Sequence, residues 1–110
     1  MFNFGDTTLN SSTFDTVKDF VTGQDFIDLD FVNGGLPASG YAETSVATTS
    51  FATALAAANA LTGPGIAAIF VAGQADGWLF WDSNGDSSLD QSVLMTGLNS
   101  LGAFGPLDIV

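Results

Sequence analysis

Apolar residues follow two patterns along this chain, and both are typical of β-strands. Some segments alternate apolar and polar residues, as 26–32 does, where Asp28 and Asp30 share one face. Other segments are apolar throughout and have the length of a strand bounded by turn residues. Together the patterns predict six strands, over residues 2–4, 16–21, 26–32, 66–72, 78–81 and 93–95.

The middle of the chain has a different pattern. Seven alanines lie between Thr44 and Leu61, and the larger apolar residues among them recur at helical spacing. Thr48, Thr49 and Ser50 can cap a helix, and Gly63-Pro64 stops one. We predict a helix over 50–62 with almost no charge on its outer face.

These elements predict one domain, residues 1–110, with an α+β fold. The sheet is expected to be mostly antiparallel, arranged as a sandwich or a roll, because short strands follow one another through turns. The Ala-rich helix is expected to pack closely on that sheet, since alanine lets a helix approach it.

Composition restricts the chemistry that the chain can perform. Its 110 residues include twelve Asp or Glu but one basic side chain, Lys18, so the formal net charge is −11. His and Cys are both absent. The sequence therefore excludes a Ser-His-Asp triad, a Cys-His nucleophile and a zinc site made from imidazole or thiolate groups.

The same charge balance restricts the partners. A chain with one basic residue cannot neutralise phosphates, so neither nucleic acid nor an anionic membrane is an expected partner. The longest apolar stretch, 66–72, is too short to span a bilayer, so no membrane insertion is expected. An acidic surface attracts hard cations, and oxygen ligands suit Ca²⁺ best. Ca²⁺ is therefore the expected cofactor.

The segment between the last two predicted strands carries the clearest chemical signal. Oxygen-bearing side chains occupy alternate positions there: Asp82, Asn84, Asp86, Ser88 and Asp90. This spacing suits a loop that wraps a Ca²⁺ ion, and it matches the first half of an EF-hand loop. The second half departs from that loop, because Ser87 replaces its Gly and Val93 its Glu. We predict a calcium loop completed by ligands from elsewhere or by water; the alternative is a polar hairpin loop built on Asn84-Gly85.

A second group of acids lies in the first third of the chain. Asp19, Asp25, Asp28 and Asp30, together with Asp15, fall within residues 15–30. Part of this group is a second, weaker candidate cation site at strand ends. The alternative is a solvated sheet face, because the spacing fixes no single geometry.

Catalysis by paired aspartates is the remaining enzymatic possibility, but little in the sequence favours it. The chain has neither an Asp-Thr-Gly nor an Asp-Ser-Gly triplet, and it has no glycine-rich phosphate loop followed by Lys. We expect a protein that is not an enzyme, with a small aspartate-based hydrolase as a remote alternative.

Several segments resemble the C-terminal region of repeats-in-toxin (RTX) exoproteins. Residues 15–29, DTVKDFVTGQDFIDL, resemble the family segment D-T-I-x-D-F-x-x-G-x-D-x-I-D-L. Residues 77–86, GWLFWDSNGD, look like its aromatic strand followed by D-x-x-G-D-G, and 93–97, VLMTG, are similar to its I-x-L-x-G segment. The tail resembles the acid-then-hydrophobic end of type I secretion substrates such as the serralysin-like proteases: Leu107, Asp108, Ile109 and Val110.

The resemblance implies export through a type I secretion apparatus by an uncleaved C-terminal signal, followed by calcium-assisted folding outside the cell. The chain departs from the family in two ways. It lacks the glycine-rich nonapeptide G-G-x-G-x-D, and therefore the β-roll that binds most calcium in the family, and Ser87 replaces the second Gly of D-x-x-G-D-G.

Taken together, these features predict a secreted or cell-surface calcium-binding structural module without enzymatic activity. We expect it to associate with copies of itself, as a subunit of an S-layer, matrix or filament. The alternative is the C-terminal export domain of a larger exoprotein.

Overall fold

The computed structural model describes residues 2–3, 15–29, 38–48, 50–82 and 85–109, with backbone alone at 2, 3 and 38. These residues contain one α-helix, α1 (Phe51–Asn59), and two short 3-10 turns, Ala38–Gly40 and Pro106–Asp108. They also form seven strands: β1 (Phe2–Asn3), β2 (Asp15–Val17), β3 (Ile27–Asp28), β4 (Tyr41–Ser45), β5 (Ala68–Ala72), β6 (Gly77–Trp81) and β7 (Gln91–Met95).

Five of these strands form one mixed sheet in the order β2-β7-β6-β5-β4. The central strand β6 is antiparallel to both β5 and β7, whereas β4 pairs with β5 in parallel at one edge and β2 pairs with β7 in parallel at the other. The short strands β1 and β3 form a separate parallel pair. A single bridge from Ile27 to Ile109 connects the C-terminal end of the chain to that pair.

The predicted α+β fold with one Ala-rich helix packed on a sheet is confirmed. Its sheet is mixed rather than mostly antiparallel, because α1 lies between β4 and β5 in the chain. A helical crossover returns the chain to the same end of the sheet, so the strand that follows runs parallel to the one before. Hydrophobic periodicity identifies the strands and the helix, but it does not reveal which strands pair.

The central strands of the five-stranded sheet agree with the sequence prediction, and its two edge strands do not; β1 and β3 fall within the predicted strands 2–4 and 26–32, of which 4 and 30–32 lie outside the described residues. β5, β6 and β7 fall on the predicted segments 66–72, 78–81 and 93–95 to within two residues at each end. The predicted strand 16–21 ends early, at Val17, and the chain turns at Asp19, where φ is 60°. β4 was not predicted, because an edge strand with half-exposed side chains lacks a strong apolar pattern.

Each face of the sheet is covered by a different part of the chain. On one face, Phe70, Trp81 and Met95 pack against Phe104 and Ile109 from the C-terminal segment. The other face packs against α1. All residues of β5 and β6 are buried, because both faces of these strands are covered.

Small side chains bring α1 close to the sheet. Ala54 and Ala58 are fully buried against the face that carries Ile69, Val71, Trp78 and Phe80. The ring of Phe51 meets that of Trp78 edge-on at 5.1 Å between centroids. The helix begins after Ser50, whose hydroxyl accepts a hydrogen bond from the Thr53 N–H. No helix among the described residues is both long and apolar enough to cross a membrane.

Candidate metal centre

The candidate calcium loop connects β6 to β7 at one end of the sheet. The hairpin is closed at its base by a bond of 3.1 Å from the Asp90 N–H to the Trp81 carbonyl. Of the predicted ligands, Asp82, Asp86, Ser88 and Asp90 are described, and Asn84 lies outside the described residues. The loop also contacts the segment after α1, because the Asp82 N–H donates to the Ala67 carbonyl at 3.0 Å.

Asp82 organises the backbone of this loop. The residue is buried, with 4% of its surface exposed. One oxygen, Oδ1, accepts the Gly85 N–H at 2.8 Å, and the other, Oδ2, accepts the Ser87 N–H at 2.8 Å. These two bonds curl the loop around the Asp82 side chain, which stands at the position of the first ligand in a calcium loop.

Ser87 adopts the backbone conformation of the glycine that it replaces. Its φ is 68°, and that of Gly85 is 74°, so both lie in the left-handed region. The sixth position of an EF-hand loop is an invariant Gly that makes the sharp turn, and Ser87 holds that position when Asp82 is counted as the first. A residue other than Gly in this region costs about 1–3 kcal/mol when it is strained. The departure from the motif is thus in residue type, while the turn itself is present.

The later positions of the loop offer fewer oxygen ligands than an EF-hand does. Asp86 is exposed and accepts the Ser88 N–H at 2.9 Å through Oδ1. Val93, at the position of the EF-hand Glu, is fully buried in β7 opposite Leu79 and contributes no oxygen side chain. Across the described part of the chain, no three His, Cys, Asp or Glu side chains are grouped closely enough to hold a metal ion. An ion at this loop would therefore need carbonyl oxygens, Asn84 or water among its ligands.

A cavity of about 170 Å³ lies beside Asp82. Asp82, Gly85 and Ser87 line it from the loop. The opposite wall is formed by the segment after α1, namely Gly63, Gly65, Ile66 and Ala67. The Thr62 hydroxyl joins the two walls, since it donates to the Ser87 carbonyl at 3.2 Å.

The second candidate site is dispersed. Asp19 is exposed, and Asp28 is half-buried in β3. Asp25 accepts the Val21 N–H at 2.9 Å through Oδ2 and so closes the turn between β2 and β3. Asp30 lies outside the described residues. Nothing in the described geometry draws these carboxylates into a common cluster, and the site remains a prediction.

The predicted export tail is part of the folded core. Asp108 is 3% exposed and Ile109 is 1% exposed, whereas Leu107 is 86% exposed. The Asp108 carboxylate accepts three hydrogen bonds, from the Thr22 hydroxyl at 2.6 Å and from the N–H groups of Gly23 and Gly105 at 3.0 Å each. Val110 lies outside the described residues.

Sequence reasoning missed a polar group close to Asp108. The Tyr41 hydroxyl lies 3.1 Å from Glu43 Oε2 and 3.3 Å from the Phe104 carbonyl, and it can donate to either. Burial is the main cause that raises the pKa of Tyr41. The negative charge of Glu43, the hydrogen bond to Glu43 and the negative charge of Asp108 raise it further. The one signal in the sequence for this group is that Tyr41 is the single tyrosine of an acidic chain.

Comparison with known proteins finds no relative of this chain. Family models, curated proteins and solved structures were each compared with the chain, and none matches it. The resemblance to RTX exoproteins therefore depends on the quoted motifs alone.

Proposed function

We propose that the chain is a secreted, non-catalytic structural module whose fold is stabilised by Ca²⁺ bound at the loop from Asp82 to Asp90. One observation carries this proposal. The Asp82 carboxylate holds the N–H groups of Gly85 and Ser87, while Ser87 takes the left-handed turn that a calcium loop makes at that position.

The charge of the chain supports a cation at this end of the sheet. Lys18, the only basic side chain in the sequence, directly follows β2, and the β2 residue Val17 pairs with Met95 of β7. Met95 pairs with Gly77 at the start of β6, whereas Asp82 follows the end of β6. The two ends of a five-residue strand are about 13 Å apart, which exceeds the screening length in physiological salt. Lys18 thus contributes little attraction to the loop.

Calcium binding would also offset the repulsion among the acids. Net charge far from zero destabilises a compact state, and this chain carries −11 over 110 residues. An ion that binds only the folded state stabilises it by about 2.7 kcal/mol when its concentration is a hundred times the dissociation constant. For a domain of this size, that increment raises the melting temperature by about 10 °C.

Thermal unfolding in calcium and in chelator tests the proposal. We expect the wild-type chain to melt higher in 5 mM Ca²⁺ than in EGTA, and Asp86→Asn to lose most of that difference because it removes an exposed ligand charge. Asp76→Asn is the matched control. Asp76 also accepts a backbone N–H, that of Gly97 at 2.8 Å, but it lies in the turn between β5 and β6.

The two outcomes are distinct. If the control keeps the calcium response and Asp86→Asn loses it, the proposal is supported. If wild-type midpoints in calcium and in EGTA agree within one degree, the loop is a polar hairpin connection and the proposal fails.

Self-association is the second part of the proposal. The exposed residues of α1 are Ala52, Thr53, Ala56 and Asn59, and none carries a charge although the chain is highly acidic. A face without charge lets copies approach, and cations can bridge the remaining acidic surface. Sedimentation of the wild-type chain should detect larger species in calcium than in EGTA, and Ala56→Glu should abolish them. Ser100→Glu, at an exposed position outside α1, should not.

An export domain of a larger exoprotein is the alternative function. It is favoured by the position of the tail, because Asp108 and Ile109 are accessible only while the chain is unfolded. Folding that depends on calcium outside the cell would keep such a signal readable inside it. A chain that stays monomeric with and without calcium would favour this alternative over the structural subunit.

A further inference from the structure

The two edges of the five-stranded sheet differ in how they are protected. The outer edge of a sheet presents N–H and C=O groups that another chain can join, and proteins protect such edges with charges, short strands and bends. The edge strand β2 has all three features. It is three residues long and begins with Asp15, Lys18 follows it, and the chain leaves it through the left-handed conformation of Asp19.

The opposite edge strand, β4, is longer and regular. It pairs with β5 over five residues without a bulge. It contains neither proline nor lysine, and the carboxylate of its one charged residue, Glu43, lies 3.1 Å from the Tyr41 hydroxyl of the same strand. Among the described residues β4 is the last strand of this sheet, and its Glu43 and Ser45 are exposed. This edge therefore lacks the protection that β2 has.

Hydrogen bonds at the two ends of β4 show which of its main-chain groups face away from the sheet. The Gly40 carbonyl accepts an N–H from the segment before β5, and the Val46 N–H donates to the last carbonyl of β5. Along a strand the main-chain groups of alternate residues point to the same side. The even-numbered residues thus face β5, and the N–H and C=O groups of Tyr41, Glu43 and Ser45 point outward.

The side chains of β4 are complementary to those of a second copy of the same strand. In an antiparallel pair centred on Thr44, Glu43 of one copy faces Ser45 of the other, so a carboxylate faces a hydroxyl. Thr44 then faces its own copy, and Ala42 faces Val46. Threonine pairs and apolar pairs stabilise neighbouring strands, whereas a pair centred on Glu43 would oppose two like charges. The register centred on Thr44 is therefore favoured.

This register also places the helices of the two copies on the same side. Ala42 and Val46 pack against the cluster that contains Ala54 and Ala58 of α1. The two-fold axis of an antiparallel strand pair is perpendicular to the sheet, so both copies of α1 lie on one face of the joined sheet. Since α1 contacts β4, the two helices become neighbours across the axis. Their exposed residues carry no charge, so charge does not oppose this approach.

We propose that a second copy of the chain pairs with β4, edge to edge and antiparallel, and that the resulting two-fold dimer is the unit of self-association. This inference rests on the self-association proposed above and names the surface that forms it. The contact is isologous, because the same strand contributes from both copies. Both β4 edges are used up in it, and only the protected β2 edges remain, so growth of the sheet stops at two copies.

Disulfide crosslinking tests this register. The chain has no cysteine, so a single introduced cysteine forms a disulfide only between copies. Facing residues of a non-hydrogen-bonded pair have Cα atoms about 4.5 Å apart, which suits a disulfide. We therefore expect Thr44→Cys to form a covalent dimer under mild oxidation in calcium. Ser100→Cys, at an exposed position outside the strand, is the control and should remain largely monomeric.

A proline substitution tests the main-chain contact. Ser45→Pro removes an outward N–H and leaves the bonds to β5 in place, because proline is tolerated at an edge position whose N–H faces away from the sheet. Symmetry doubles the loss, so half of the strand-to-strand hydrogen bonds nearest the axis disappear. We expect sedimentation in calcium to show loss of the dimer for Ser45→Pro. Ser45→Ala keeps the N–H and should keep the dimer.

The outcomes separate this inference from the proposed function. If the wild-type chain forms larger species, but Thr44→Cys crosslinks no better than Ser100→Cys or a folded Ser45→Pro still associates, the copies meet through another surface and the inference is wrong while the function stands. If the wild-type chain is a monomer in calcium and in EGTA, the proposed self-association is wrong as well. Circular dichroism establishes that each variant folds, and the two cysteine variants decide the question should Ser45→Pro fail to fold.

Discussion

Asp82 and Asp108 are buried to a similar degree, yet they hold different parts of the chain together. Asp82 accepts N–H groups three and five residues further along, so it shapes its own loop. Asp108 accepts donors 85 and 86 residues away, at Gly23 and Thr22, in addition to the nearby Gly105. A carboxylate that bonds within its own loop can shift when an ion binds, whereas a carboxylate that bonds to distant segments holds the fold together. The proposed function makes Asp82 a ligand of the ion, whereas the bonds of Asp108 join distant segments of the fold.

Removal of the Asp108 carboxylate should have the largest effect on stability. Asp108→Ala leaves the Thr22 hydroxyl and the N–H groups of Gly23 and Gly105 without their acceptor. We expect the free energy of unfolding to fall by about 3–5 kcal/mol, with or without calcium, because hydrogen bonds to a charged group are strong. Urea unfolding measures this. Leu107→Ala, a neighbouring side chain that is 86% exposed, should change stability by less than about 0.5 kcal/mol.

Removal of the Asp82 carboxylate should have a smaller effect, and one that depends on calcium. In EGTA, Asp82→Ala should lower the free energy of unfolding by about 2–3 kcal/mol, because Gly85 and Ser87 lose a charged acceptor but remain partly hydrated. In calcium the deficit relative to wild type should grow, since the variant loses the ion as well. A deficit of the same size in both conditions would contradict a ligand role for Asp82.

A single donor to Asp108 should matter less than the carboxylate itself. Thr22→Val removes the shortest of the three bonds, and we expect a loss of about 1–2 kcal/mol in urea unfolding that is independent of calcium. Thr53→Val, on the exposed face of α1, is the control and should be nearly neutral. A loss that disappears in calcium would link Asp108 to the ion and break the contrast with Asp82.

The smallest effect concerns the ionisation of Tyr41. Its pKa is raised in the folded state by burial, by Glu43 and by Asp108. Above the usual phenol pKa of about 10, the unfolded state loses this proton before the folded state does, so stability falls as the pH rises further. Tyr41 is the only tyrosine, so phenolate absorbance at alkaline pH reports on it alone. Asp108→Asn should lower that pKa, and Asp82→Asn should leave it unchanged.

The sequence identifies the parts of the fold that depend on local pattern. Apolar runs identify β5 and β6, and the alanines between Ser50 and Gly63 identify α1. Burial of one or both faces of an element requires apolar residues at regular positions in the sequence. β4 leaves no such trace, since its residues are half-exposed at a sheet edge. Parallel pairing of β2 with β7 joins segments far apart in the chain, which no local pattern encodes.

The candidate site likewise has one part that the local sequence pattern predicts and another that depends on tertiary contacts. Alternate oxygen side chains predict the loop from Asp82 to Asp90, since its geometry comes from neighbours in sequence. The segment that lines the cavity opposite this loop, Gly63 to Ala67, could not be predicted, because it lies against the loop through tertiary contacts such as the bond from Thr62 to Ser87. Asp108 was assigned to an export tail by resemblance, and its long-range bonds to Thr22 and Gly23 become visible only in the folded chain.

The amide resonances of the donors to the two aspartates test the central claim most directly. In a calcium titration followed by ¹H–¹⁵N NMR, we predict that the Gly85 and Ser87 amides shift and saturate, while those of Gly23 and Gly105 stay in place. If Gly85 and Ser87 do not shift at millimolar calcium, or if all four amides shift alike, the loop at Asp82 is not a specific calcium site.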